Sequence, residues 1–299
     1  MEATQQLSCT DSPQPIAFQL SFLRRTSAGR AVLKVQDMTA SARVGVIQVT
    51  LLQAPDLADG KPDTGVKGTK EQLEVKVIAH ITVSPPKYEK STPVYGPWKI
   101  HPPPAPGTRG DGTVDFTRLL QEGKDGAWVK YPEQPLIHSA ARQLEVYEPR
   151  LPMSASLEDQ ASRIIDQWAR FTPGGKVARW SNESMLFLID MFPGGFDKLG
   201  AMESRRMMVA DGLTEAEATK KRLWFATVSM NIDLKTRIPP EGVEWLFTRV
   251  VSRMIRGSRA DIDMTVLDSQ GELMGIGTQI SLVVDSSRNL KGRTAGGKL

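Results

Sequence analysis

The sequence predicts an α+β fold, and three features carry that reading. Two runs of residues, one towards each end of the chain, alternate apolar and polar side chains as antiparallel strands do. Ahead of the second run lies Ser181–Gly200, SNESMLFLIDMFPGGFDKLG, in which Met185 to Phe192 are apolar at every position but one. A helix without a polar face is a buried helix. Two antiparallel meanders and one enclosed helix are therefore expected.

The first run opens with Ile16, Phe18, Leu20 and Phe22 on one face and Gln19 and Ser21 on the other, a half-buried strand. Ser27-Ala28-Gly29-Arg30 makes a turn, Ala31–Asp37 a second strand and Val44–Leu52 a third. Pro55–Thr69 is loop-like, and Leu73, Val75, Val77, Ala79, Ile81 and Val83 alternate along a fourth strand. From Pro85 to Pro152 prolines accumulate, and they argue against a central strand or a long helix. Only Asp115–Glu122 reads as a short helix there, while Trp98, Phe116, Trp128 and Tyr131 supply anchors for an ordered connector packed over a sheet. Leu157–Phe171 has helical spacing, and Glu203–Lys221 reads as a polar helical insert. Strands follow at Trp224–Leu234, Glu244–Met254, Arg259–Asp268 and Glu272–Asp285, with a turn at Asp268-Ser269-Gln270-Gly271. The expected division is a polar tail 1–14, a partial first unit 15–84, a connector 85–152, a second unit 153–288 and a tail 289–299.

Composition narrows the function classes. At 299 residues and net charge +4, Lys and Arg are interspersed with Asp and Glu. The clusters Lys220-Lys221-Arg222 and Arg249 to Arg259 lack interleaved aromatics, so they read as solvated edges rather than a nucleic-acid surface, with attraction of coenzyme phosphates as the lesser reading. The one cysteine, Cys9, excludes an internal disulfide and a CxxC metal site, which fits a reducing compartment. No apolar stretch is long enough to span a membrane. A cytoplasmic location is expected, and Gly297-Lys298-Leu299 stands one residue from the Ser-Lys-Leu peroxisomal address.

The exception in the apolar helix is Asp190. Ser181 or Asn182 can cap the helix start, and Pro193-Gly194-Gly195 cannot continue it. A buried carboxylate must be paired or hydrogen-bonded, or its pKa moves. Asp190 is thus a site candidate, or else a structural acid bonded to a loop backbone. Strict alternation in Ala226–Leu234 places Ala226, Val228, Met230 and Ile232 on one face and Thr227, Ser229 and Asn231 on the other. In the last strand Gly275, Gly277, Gln279 and Ser281 share a face opposite Met274, Ile276, Ile280 and Leu282. Small residues beside Gln279 allow another backbone to approach closely. A glycine-softened edge with a surface Gln is the alternative.

The succession SMLFLIDMFPGG, ATVSMNIDL…GVEWLFTRV and DSQGELMGIGTQISLVV resembles the thioesterase-like, acyl-CoA thioesterase II type of double-hotdog protein, in its fungal and actinobacterial version. LSFLRRTSAGRA resembles that family's opening strands and turn. The resemblance covers roughly 15–84 and 153–288 and rests on order and spacing rather than on one motif. It implies a double hotdog, two antiparallel meanders forming a curved sheet around a buried helix. It also implies a site in which Asp190, on the hotdog helix, matches the family's acid. Thr227 matches its hydroxyl (Ser229 if the register slips by two), and Gln279 matches its amide. Such a site activates water without metal or organic cofactor, with backbone N–H groups near the helix start as oxyanion donors. Family members place a strand and a helix ahead of the LSFLRRT strand, and this sequence has no match to them. The first hotdog is therefore expected to be incomplete and under-covered, and the chain less stable than its relatives or self-associating through that face. The two meanders are expected to join edge to edge.

The function implied is hydrolysis of an acyl thioester, either acyl-CoA or a carrier-bound acyl or polyketide group of fatty acid or secondary metabolism. A non-catalytic acyl-binding or assembly module is the alternative. A hotdog hydratase or dehydratase would need a His beside the Asp, and His80, His101 and His138 all lie far from Asp190 in sequence. No G-x-S-x-G elbow is present. Neither nucleic acid nor membrane is expected as a partner.

Overall fold

The computed structural model describes residues 12–27, 29–55, 73–88, 98–131, 139–150, 164–191, 208–214, 217, 223–253 and 255–285. The expectations for both tails, Cys9, His138, Pro193-Gly194-Gly195, the cluster Lys220-Lys221-Arg222 and most of Glu203–Lys221 lie outside these residues.

Alternation in the first third produces β1 (Gln14–Phe22), β2 (Val32–Ala40), β3 (Gly45–Gln53) and β4 (Glu74–Ser84), each within a few residues of its expected span. Helix α1 (Phe116–Glu122) is capped by the Asp115 side chain, which accepts from the N–H groups of Thr117 and Arg118. The proline-rich connector then departs from expectation. It contributes β5 (Lys124–Asp125), β6 (Trp128–Lys130) and β7 (Leu144–Pro149), short enough to fit between the prolines.

The expected helix over Leu157–Phe171 is a strand in its described part, β8 (Ile164–Phe171). This strand is buried on both faces, with Ala169 in the core around the enclosed helix and Trp168 in a second core on the outer side. Apolar residues on both faces erase the period of two and leave a spacing that resembles a helix. The enclosed helix is α2 (Asn182–Asp190), followed by β9 (Leu223–Leu234), β10 (Leu246–Val251), β11 (Ile255–Arg256), β12 (Arg259–Leu267) and β13 (Leu273–Asp285).

All strands among the described residues join one antiparallel sheet in the order β2-β3-β4-β1-β9-β13-β12-β10-β8-β7-β6-β5, with β11 on β12. The two meanders meet edge to edge through β1 and β9, with Phe18 opposite Ile232 and Leu20 opposite Met230. Curvature follows from two hydrogen bonds. Thr227 of β9 reaches Asp190, and Gln167 of β8 reaches the carbonyl of Met191, the next residue. Three strands separate β9 from β8, so on a flat sheet they would stand about 19 Å apart. The sheet must bend round the end of α2 for both to touch it.

The outer face of the second half carries Trp128, Tyr147, Trp168, Trp245 and Phe247, covered by α1 and the loop before it through Phe116, Ile100 and Ala105. Trp98, expected as an anchor, is 53% exposed and does not serve as one. Arg249, expected on a solvated edge, is instead buried in this layer. Its Nε and Nη2 each bond Asp166 at 2.6 Å, and its Nη1 bonds the Pro102 carbonyl at 2.5 Å. On the first half the helix-side residues Leu33 and Val35 are each 62% exposed. No α-helix occurs among the described residues before Phe116.

Candidate active site

Ser181 caps α2, accepting from the Ser184 N–H while the Ser184 hydroxyl accepts from the Ser181 N–H. Met185, Leu188 and Ile189 are fully enclosed, and Leu186 and Phe187 half so. The glycines of β13 explain how the helix comes so near. A Cβ on Gly277 would stand 2.6 Å from Ile189 Cγ2, and one on Gly275 3.7 Å from Met185 Cε. The Gly275 distance is an ordinary contact, so it is at Gly277 that the close seat of the helix needs a residue without a side chain.

Asp190 is the last residue of α2. Burial pushes its carboxyl up to about 6 from an ordinary 3.8, and a hydrogen bond from Thr227 offsets part of that rise. Thr227 Oγ1 donates to Asp190 Oδ1 at 3.1 Å. Strict alternation would have pointed Thr227 away from the Met230 and Ile232 side of β9. The ladder with β13 shows why it does not. Gln279 faces Met230, Ile280 faces Ser229, and Ser281 then faces Thr227, leaving Val228 as a bulge. That extra residue returns Thr227 to the helix side and leaves Val228 38% exposed.

Gln279 and Ser281 continue the Gly275–Gly277 face and are buried. The Gln279 amide donates to Ser281 Oγ at 3.3 Å, and Ser281 is the cross-strand neighbour of Thr227. Asp190 and Thr227 are thus joined directly, and Gln279 lies one register step along the same face, bonded to Ser281 rather than to the acid. Ser229, the alternative hydroxyl, pairs with Ile280 and with Ser21, which puts it on the opposite face. Plain alternation from Met230 keeps it off the site, and the bulge beyond it brings in Thr227 alone.

The first-turn N–H groups cannot serve as oxyanion donors for a group held at Asp190. The nine-residue helix separates them from it by about 12 Å. His80 sits on the far face of β4, paired with Gln19 and bonded to Gln48, away from α2. Among the described residues no cluster of His, Cys, Asp and Glu could hold a metal ion, and no helix is long and apolar enough to cross a membrane. Sequence reasoning noted Ser281 only as a small residue. Its two-residue step from Gln279 was the available signal for a polar neighbour of the site.

A curved antiparallel sheet wrapped on one central helix, joined edge to edge to a second meander, is a double hotdog, and a half-buried acid at the helix end is its candidate site. Residues 112–283 match the acyl-CoA thioesterase C-terminal domain, and the chain belongs to that family. It is similar to the thioesterase-like protein TwmA of Talaromyces wortmannii, 25% identical over 96% of this chain and 81% of that one. Among solved structures it resembles a conserved hot dog fold protein of unknown function from Alicyclobacillus acidocaldarius. The TM-score is 0.55 and the identity 16%, over 94% of this chain and 81% of that one. A Thermobifida fusca YX protein assigned to the thioesterase II class gives a TM-score of 0.52 and 13% identity, over 90% and 79%.

Proposed function

We propose that the chain hydrolyses acyl thioesters, borne on coenzyme A or on an acyl carrier, with Asp190 as the base that activates water. The observation that carries this reading is the condition of that carboxyl: half-buried, raised to about 6, and held by the Thr227 hydroxyl. A base whose pKa lies just below neutrality is ionised at working pH yet still takes a proton readily. Membership in the acyl-CoA thioesterase family supports the substrate class.

In this reading Asp190 removes a proton from water as the water oxygen bonds to the thioester carbon, and the carbonyl electrons move onto oxygen. Collapse of that adduct re-forms the carbonyl and breaks the C–S bond. The departing sulfur takes the proton back from Asp190, leaving an acid, a thiol and a restored carboxylate. Thr227 fixes the carboxylate, and Gln279 supplies an amide to hold the water in line.

The test is thiol release across a series of acyl-CoA lengths, with Asp190→Asn alongside. The variant should keep its circular-dichroism spectrum and lose roughly 10²–10⁴-fold in kcat. For the parent chain, activity should climb as pH passes through about 6, because the ionised form is the base, and then level off. A fully active Asp190→Asn excludes this acid. A parent chain that binds acyl-CoA but releases no thiol would point to the acyl-binding module instead.

A further inference from the structure

Gln167 of β8 is fully enclosed, in a helix-side layer built from Ala169, Leu246, Val250, Met264 and their neighbours. A buried amide in such a layer costs stability unless its hydrogen bonds are used. One is used. Nε2 donates to the Met191 carbonyl at 3.3 Å, on the residue directly after Asp190. Among the described residues the amide Oε1 has no hydrogen-bond partner, nor has the hydroxyl of Thr248, its neighbour on β10. The Met191 carbonyl is therefore what this side chain is placed to meet.

Met191 has already left the helix, with φ −105° and ψ 99°, and its N–H closes back on Leu188 at 3.0 Å. Asp190 thus sits in the last turn, where backbone groups lack helical partners and fray first. Without Gln167 the Met191 carbonyl loses that anchor.

We propose that Gln167 is a positioning residue for hydrolysis: it pins the end of α2 from β8 while Thr227 holds Asp190 from β9, so the carboxylate is fixed from both sides of the bent sheet. The inference rests on the hydrolytic reading above. The ionisable groups near this clamp are few. Among the described residues the helix-side positions of β8, β9, β10, β12 and, as far as Val283, β13 carry none. Asp190 lies on α2, and Glu148 on β7 is the next residue in register beside Gln167, following the pair Tyr147 and Trp168.

The test uses the full chain and compares Gln167→Met, Gln167→Glu and Asp190→Asn, with kcat and KM measured separately against pH. Gln167→Met keeps the bulk and removes the donor. It should lower kcat by roughly 10–100-fold with KM nearly unchanged, the mark of a misplaced reacting group. Gln167→Glu restores a donor only while the introduced carboxyl is protonated, which burial favours. Its kcat relative to the parent should be near parity at low pH and fall as pH rises. A merely structural amide would change melting temperature and leave that ratio flat. Folded variants with the parent's kcat and a flat ratio overturn the proposal. If Gln167→Met does not fold, the slope of the Gln167→Glu ratio decides alone. An inactive Asp190→Asn beside parent-like Gln167 variants defeats the positioning role only, whereas an active Asp190→Asn defeats the hydrolytic reading itself.

Discussion

The two halves of the sheet share one alternating pattern and have opposite fates. In the second half the apolar rows of β9 and β12 and the glycine-bearing face of β13 close on α2, and Ile262, Met264 and Ile232 are buried. In the first half the corresponding rows run through Phe22, Val77, Leu51 and Leu33 and through Leu20, Ala79, Val49 and Val35, following the registers of β1, β4, β3 and β2. Along them the residues of β1, β4 and β3 are half-buried, and those of β2 are solvent-exposed. Alternation sets which face is apolar. It does not set whether that face is covered, and coverage decides how much each apolar side chain contributes.

The largest effect that would sharpen this contrast is a matched pair of truncations. Ile262→Ala, under α2, should cost about 2–5 kcal/mol, because a cavity opens in a closed layer. Val35→Ala, on the same face of the other half, should change stability by less than about 0.5 kcal/mol. Urea denaturation of both variants checks this, and equal costs would mean that the first half is covered in solution.

Next in size is the charge enclosed in the second half. The folded-state pKa of Asp190 is about 6 against an ordinary 3.8, so folding favours the protonated form. Stability should fall as pH rises from about 4 to about 6 and stay lower above, by about 3 kcal/mol. Asp190→Asn should abolish the fall, leaving the variant more stable than the parent at pH near 8 and no different near 4. Denaturation midpoints at the two pH values test it, and a parent with no such fall would mean that the carboxyl is solvated.

The smallest expected effect probes the contact between sheet and helix. Gly277→Ala puts a methyl 2.6 Å from Ile189 Cγ2 and should cost about 1–3 kcal/mol. Adding Ile189→Ala should recover part of that loss in a double-mutant cycle. Additive costs would show that the helix does not press on this strip.

Sequence patterns carried much of this fold and part of its site. Period-two alternation located the eight long strands of the two meanders, and an unbroken apolar run located α2. Three features escaped, each for a physical reason. The strand β8 packs against a core on either side, so its pattern has no polar face to reveal it. The strands β5 to β7 are short, and their prolines stand at their edges rather than within them. The bulge at Val228 is a property of pairing between β9 and β13 and leaves no trace in one strand read alone. Reading alternation through that bulge sends Thr227 to the wrong face and makes Ser229 look equivalent. Gln167 was hidden for the same reason as β8.

The seam between the halves also has a cost in time. In β1, Ala17 pairs with Asp233 of β9, a partner about 200 residues further along the chain. At ribosomal speeds of roughly 5–20 residues per second, β1 waits about 10–40 s for that partner to be made. Through that interval β4 can protect only one of its edges, and the other stays open to any strand that passes. Contacts this distant in sequence also form late and slowly once the chain is complete. The same joint that makes one sheet of two meanders leaves β1 the strand most exposed to mispairing while the protein is being made.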